Sequence, residues 1–143
     1  MKREELIPSL FRSQALATPK KTAIVFIDSN GTEISFTYEQ LFLKSYHFSR
    51  LLVSRNIRAG DFIIISLSHG VEQVCAFWGV LFAGAVPAIV QDKGMMVTEE
   101  AYASRLQKKV NHVVPSAVVT SGNVAKVLRH AGIPDTVEIL EWE

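Results

Sequence analysis

The sequence predicts an α/β fold: an N-terminal helix and a β-hairpin, followed by a doubly wound, mostly parallel sheet with helices on both faces. Three observations lead there. From Asp61 onward, strand-like runs alternate with helical patterns in a β-α-β-α-β-α-β order, the order that crossover helices impose on a parallel sheet. The run FIIIS, Phe62 to Ser66, is apolar without alternation, as a strand covered on both faces must be. The stretch VCAFWGVLFAGAVPAIV, Val74 to Val90, carries no charged side chain, yet Gly79, Gly84 and Pro87 interrupt it. A membrane-spanning helix needs about 20 apolar residues, and interior glycine and proline cost about 1 and about 3 kcal/mol against alanine. The stretch also lacks the basic flanks that orient a span. It is therefore expected to be a crossover helix over Val71 to Phe82, stopped by Gly84, and then a short buried strand with Pro87 near its start.

Each element follows in order. Arg3 to Ala17 reads as an amphipathic helix that ends before Pro19, which disfavours helical geometry at Thr18. TAIVFI (Thr22 to Ile27) and EISFTY (Glu33 to Tyr38) are strand-like and joined by DSNG, so they form a hairpin turned at Asn30-Gly31. Tyr38 to Asn56 is a long helix with Thr37 as its cap and Leu41, Phe42, Phe48, Leu51 and Leu52 recurring at helical spacing. Ala59-Gly60-Asp61 turns the chain into the FIIIS strand. After the βαβ unit, Gln91 to Val97 is a polar connection, and Thr98 opens a helix rich in good formers that runs to Val113. SAVVTS (Ser116 to Ser121) is a strand, Gly122 to Gly132 a short helix closed by Gly132, and TVEILEW (Thr136 to Trp142) a last strand. With no internal repeat, low-complexity tract or linker, residues 1–143 are expected to form a single domain.

Composition narrows the function classes. At 143 residues, with 48% hydrophobic and 20% charged, the chain can bury a real core. Fifteen basic against fourteen acidic residues leave a net charge of +1 and no basic tract dense enough for a phosphate backbone or an anionic lipid surface, which argues against nucleic acid as a partner. One cysteine, Cys75, allows neither an internal disulfide nor a cysteine zinc cluster. The N-terminus mixes acids and bases without the apolar core of a secretory signal, so no transmembrane segment and a cytoplasmic location are expected.

Few residues offer chemistry. His47, His69, His112 and His130 lie on separate elements without metal-ligand spacing. His69, in LSHG, follows a strand, and ligands of open α/β sheets sit beyond the carboxyl ends of strands. Ser66, Ser68 and His69 lack the strained nucleophile elbow and a third partner, so the loop reads as a cap for the next helix. No dinucleotide or P-loop glycine fingerprint is present. The nearest phosphate-loop candidate is TSGNVAK, Thr120 to Lys126, where Ser121 is expected to be an ordinary helix cap. Cys75, within the apolar helix, reads as a small buried hydrophobe.

Four stretches together resemble a known family. SFTYEQL (Ser35 to Leu41) is similar to the first core motif of the adenylate-forming superfamily, which includes acyl-CoA synthetases, fatty acyl-AMP ligases, luciferases and peptide-synthetase adenylation domains. GVLFAGAVPAIV (Gly79 to Val90) is similar to its second core motif. FRSQALATPKKTAIVF resembles the family's opening helix and first strand, and NIRAGDFIIISLSHGVEQVCAFWGVLFAGA resembles the segment between the motifs. The resemblance runs from about Leu10 to about Val127.

What the resemblance implies is a two-step reaction. A carboxylate attacks the α-phosphate of Mg-ATP, giving an acyl-adenylate and pyrophosphate, and the acyl group passes to a thiol of CoA or an acyl carrier protein. The family's phosphate loop, metal ligand, ribose-binding Asp and catalytic Lys lie downstream of the matched region. Thr120, Ser121 and Gly122 match the start of the phosphate loop, but Asn123 and Val124 depart from it and Lys126 comes too early. No catalytic, cofactor-binding or metal-binding residue is therefore assigned here. The expectation is the N-terminal subdomain fragment of a larger ATP-dependent ligase, inclined by FIDSNGTEISFTY toward fatty acyl-AMP ligases, inactive alone, and partnered by the remainder of its parent enzyme. Exposed apolar surface and self-association are expected as well. The rival readings are a stand-alone interaction or regulatory module on the same scaffold, and a small nucleotide-binding α/β protein using Ser121 and Gly122.

Overall fold

A computed structural model describes residues 7–91, 94 and 97–142. Its elements are α1 (Ile7–Ala17), β1 (Thr22–Ile27), β2 (Glu33–Thr37), α2 (Tyr38–Ser54), β3 (Phe62–Ser66), α3 (Val71–Phe82), β4 (Val86–Ile89), α4 (Glu99–Val113), β5 (Ala117–Thr120), α5 (Gly122–Arg129) and β6 (Glu138–Glu141). The order is the one the sequence predicts. Residues 3–6 of the expected first helix, and residues 92, 93, 95 and 96 of the polar connection, lie outside the described residues.

β1 and β2 pair antiparallel as a separate two-stranded sheet. Their turn is set by Asp28, whose carboxylate accepts from the backbone N–H groups of Asn30 and Thr32, both at 2.8 Å, while Gly31 supplies a φ of +81°. β3 to β6 form a parallel sheet in the order β4-β3-β5-β6. The chain thus steps outward from β3 to β4, crosses back over β3 to β5, and continues to β6. β3 and β5 flank the point where the winding reverses.

Both faces of this sheet are covered, which explains the missing alternation in FIIIS. Ile63 and Ile65 pack with Phe48 and Leu52 of α2 and Ala76 and Val80 of α3. Ile64 points the other way, into Tyr102, Leu106 and Val110 of α4 and Leu128 of α5. A third cluster ties α1 to this body through Phe11, whose ring lies 4.5 Å from Trp78 and 5.8 Å from Phe82 between centroids.

The termini of the elements follow local chemistry. Thr37 caps α2 in a reciprocal box with Gln40, and Thr98 caps α4 by accepting from Ala101 N–H. α3 ends in a Schellman turn: Gly84 has φ +76°, its N–H donates to Leu81 O, and Ala85 N–H donates to Val80 O. Pro87 then sits on β4, an edge strand. Val86 donates to Asp61, just ahead of β3, and Val90 to Ile65 of β3, so the N–H that Pro87 lacks would have faced the open edge. Among the described residues no helix is long and apolar enough to cross a membrane.

Three details differ from the sequence reading. β4, expected as a buried strand, lies at the sheet edge with Val86 47% and Ile89 52% exposed, because no further strand pairs with its outer side among the described residues. The buried stripe of α2 is Leu41, Ser45, Phe48, Ser49 and Leu52, while Leu51 is 38% exposed. Serines fill that stripe because α3 approaches closely: a Cβ at Gly79 would stand 2.9 Å from Ser45 O. α5 stops at Arg129, before Gly132, because His130 and Ala131 donate to Val127 and Leu128 in tight three-residue turns; Gly132, at φ +64°, then reverses the chain.

Candidate functional site

The parallel sheet places its carboxyl ends, Ser66 of β3 and Thr120 of β5, side by side at the reversal of winding, Cα partner to Cα partner. Open α/β sheets bind ligands outside such a point. Both side chains are buried, and both end strands otherwise made of apolar residues. A buried hydroxyl needs a partner. Tyr102, from the first turns of α4, provides it: its phenolic oxygen lies 2.7 Å from Ser66 Oγ and donates to Gln91 O at 2.6 Å. Because that phenol has one proton and spends it on Gln91, Ser66 must donate to Tyr102, and Thr120 Oγ1 donates to Ser66 over a longer 3.5 Å. The chain of donors runs Thr120, Ser66, Tyr102, Gln91 O. It ties the exits of β3, β4 and β5 together.

This arrangement positions backbone; it does not activate a nucleophile. The Ser66 hydroxyl is enclosed and committed to the phenol. His69 is turned to the hairpin, with its ring edge-on to Phe26 at 6.1 Å between centroids. His47 and His112 are exposed on α2 and α4, and His130 closes α5 with Nδ1 2.8 Å from Lys126 O. The four histidines are dispersed, and among the described residues no group of three or more His, Cys, Asp or Glu side chains converges as a metal site would. Cys75 is fully buried in α3; burial raises its thiol pKa, against a smaller lowering from the Ser45 hydrogen bond.

The start of α5 is the other place where sequence allowed chemistry. Ser121 occupies the cap position, but its side chain makes no capping hydrogen bond, so the ordinary-cap expectation holds for its backbone only. Glu141, at the end of β6, fills the space in front of the helix: its Oε2 lies 3.2 Å from where a Cβ of Gly122 would be, and its other oxygen pairs with Arg129. A triphosphate brought to this end of α5 would meet a carboxylate. The residues of TSGNVAK therefore do not fit the phosphates of ATP, nor do they supply acidic ligands for magnesium.

Tyr102 is the residue that sequence reading passed over. Its signal was present, because Tyr102, Leu106 and Val110 share one face at helical spacing and a phenol in a buried stripe must find an acceptor.

Comparison with known proteins agrees with this architecture. The model of a family described as AMP-binding enzyme matches residues 11–141. The chain is 34% identical over 131 residues to a long-chain-fatty-acid–AMP ligase of Mycobacterium bovis, FadD28, covering 87% of this chain and 21% of that protein. It is 26% identical over 142 residues to a dimodular nonribosomal peptide synthase of Bacillus subtilis, covering 98% of this chain and 5% of that one. The chain thus spans about a fifth or less of these curated relatives. Among solved structures, a fatty acyl-adenylate ligase from Legionella pneumophila in complex with acyl adenylate and pyrophosphate superposes with a TM-score of 0.76 at 21% identity, over 94% of this chain and 22% of that one. The four-stranded parallel sheet is thus part of a shared fold, and the chain belongs to the AMP-binding family of adenylate-forming enzymes, matching the N-terminal subdomain of their fold.

Proposed function

We propose that this chain is the scaffold-forming N-terminal subdomain of an ATP-dependent ligase that activates a fatty or related acyl carboxylate. The observation that carries the proposal is the 34% identity to a long-chain-fatty-acid–AMP ligase across nearly the whole chain. In such a ligase the carboxylate oxygen bonds to the α-phosphorus as pyrophosphate leaves, and the acyl group then moves to a thiol of CoA or a carrier protein. That chemistry needs a phosphate cradle, a metal ligand and a cation at the transferring phosphoryl group. Here the hydroxyls at the sheet's carboxyl edge are spent on one another, and Glu141 opposes an anion at α5. ATP and magnesium are therefore assigned to the remainder of the parent enzyme, and these 143 residues alone do not activate an acid. A lone, fully buried thiol is in keeping with a reducing cytoplasm.

ATP–pyrophosphate exchange tests both parts. With this chain alone, no exchange above background is expected for fatty, aryl or amino acids; robust exchange would overturn the assignment of catalysis to other residues. A longer polypeptide containing this region is expected to exchange fastest with fatty acids, and a clear preference for amino acids would overturn the substrate class.

A further inference from the structure

The outward face of α4 concentrates charge of one sign. Arg105, Lys108, Lys109 and His112 are all exposed, and from Ala101 to Val113 the helix carries no acidic residue. Among the described residues, Arg105, Lys108 and Lys109 form no ion pair, whereas Arg55 pairs with Glu138 and Arg129 with Glu141 elsewhere on the surface. In a chain whose net charge is only +1, this is local asymmetry. The face borders a hollow of about 530 Å³ lined by Val97, Tyr102 and Leu106 with Gln91, and by Arg105, Lys108 and Lys109.

We propose that this face docks an acidic amphipathic helix of a partner protein, which sets one apolar side chain into the hollow and its carboxylates against the three cations. The pairing of an apolar anchor with a charged rim is how protein interfaces are built. The cations span Arg105 to Lys109, only about 6 Å along the helix axis. That is a short track for a nucleic acid backbone, and no exposed aromatic side chain on α4 offers a base a platform. The exposed large apolar residues here, Val113 and Val114, stand at the end of α4 past the three cations, and no exposed aromatic side chain accompanies them, which argues against a lipid surface. The proposal goes beyond the ligase reading and stands independently of it.

The test uses a synthetic amphipathic helical peptide with Glu on its polar face and a single central Leu, titrated into isotopically labelled protein. Saturable shifts confined to amides of α4 and Val97 are expected. The Arg105→Glu/Lys108→Glu/Lys109→Glu variant, whose changes are all on the surface, is expected to bind about tenfold more weakly with an unchanged spectrum elsewhere. A peptide with the Leu changed to Ser is expected to lose affinity as well. Absence of binding, shifts away from α4, or equal binding of the Ser peptide would each overturn the proposal. So would tighter binding to phosphatidylserine-containing vesicles or to a single-stranded RNA 20-mer than to the acidic peptide.

Discussion

Replacing Gly79 with alanine adds one methyl group where α2 and α3 come closest. The new Cβ would stand 2.7 Å from Phe48 Cδ1, 2.9 Å from Ser45 O and 3.1 Å from Phe48 Cβ. Ser45 O is backbone, and it cannot move without bending α2. Phe48 is 6% exposed and its ring lies 4.7 Å from that of Trp142, so it has little room to turn. Restoring ordinary contact at about 3.4 Å requires the helices to part by about 0.5 Å, a gap that forfeits roughly a quarter of the attraction between the atoms lining it. Overpacking of this kind costs about 1–3 kcal/mol, and alanine returns about 1 kcal/mol through its better helix propensity. The net expectation is a loss of about 1 kcal/mol for Gly79→Ala and about 2 kcal/mol for Gly79→Val, which adds bulk with less propensity gain. Urea unfolding followed by circular dichroism reads this as a lower midpoint at constant slope. Ser104→Ala, on the exposed side of α4, serves as the control and should leave the midpoint nearly unchanged. If Gly79→Val proves as stable as the parent, the close crossing is not what places glycine there, and the reasoning fails.

Two further outcomes follow from buried groups. Tyr102→Phe leaves Ser66 without its acceptor and Gln91 O without its donor, so a loss of about 1–3 kcal/mol is expected in urea unfolding. The double change Tyr102→Phe/Ser66→Ala should cost less than the sum of the two single ones, and strict additivity would show that the two hydroxyls do not form one network. Burial raises the Cys75 thiol above its ordinary value of 9.0, so the folded state holds its proton longer than the unfolded chain does. That contribution is fully present below pH 9.0 and is lost as the pH climbs through the folded value. Stability between pH 8 and pH 10 is therefore expected to fall less steeply in Cys75→Ala than in the parent, whatever the two absolute stabilities; identical slopes would mean that the thiol ionises alike in both states.

Much of the fold was legible because its signals are local. An unalternating FIIIS announces a strand with two covered faces, Thr37 ahead of a helical recurrence announces a helix start, and a glycine after Phe82-Ala83 announces the end of the crossover helix. Those patterns depend on one residue and its near neighbours. Relations between distant residues carry no such mark. That Ser45 and Ser49, not Leu51, line the buried face of α2 depends on how near α3 comes, and that distance is set by Gly79 thirty residues on. The same is true of the site. LSHG and TSGNVAK are visible as strand ends, yet nothing near them announces that Tyr102 will join Ser66 to Gln91 O or that Glu141 will stand in front of α5.

The sequence by itself determined the class of fold, the order of its elements and the family, since periodicity, caps and core motifs are written within short stretches of chain. Only the tertiary structure decided what the polar residues at the sheet's carboxyl edge do. Whether a hydroxyl is a nucleophile or a tie, and whether a helix start can receive a phosphate, is settled by which groups from other elements already occupy the space around it. In this chain those groups are the Tyr102 phenol and the Glu141 carboxylate.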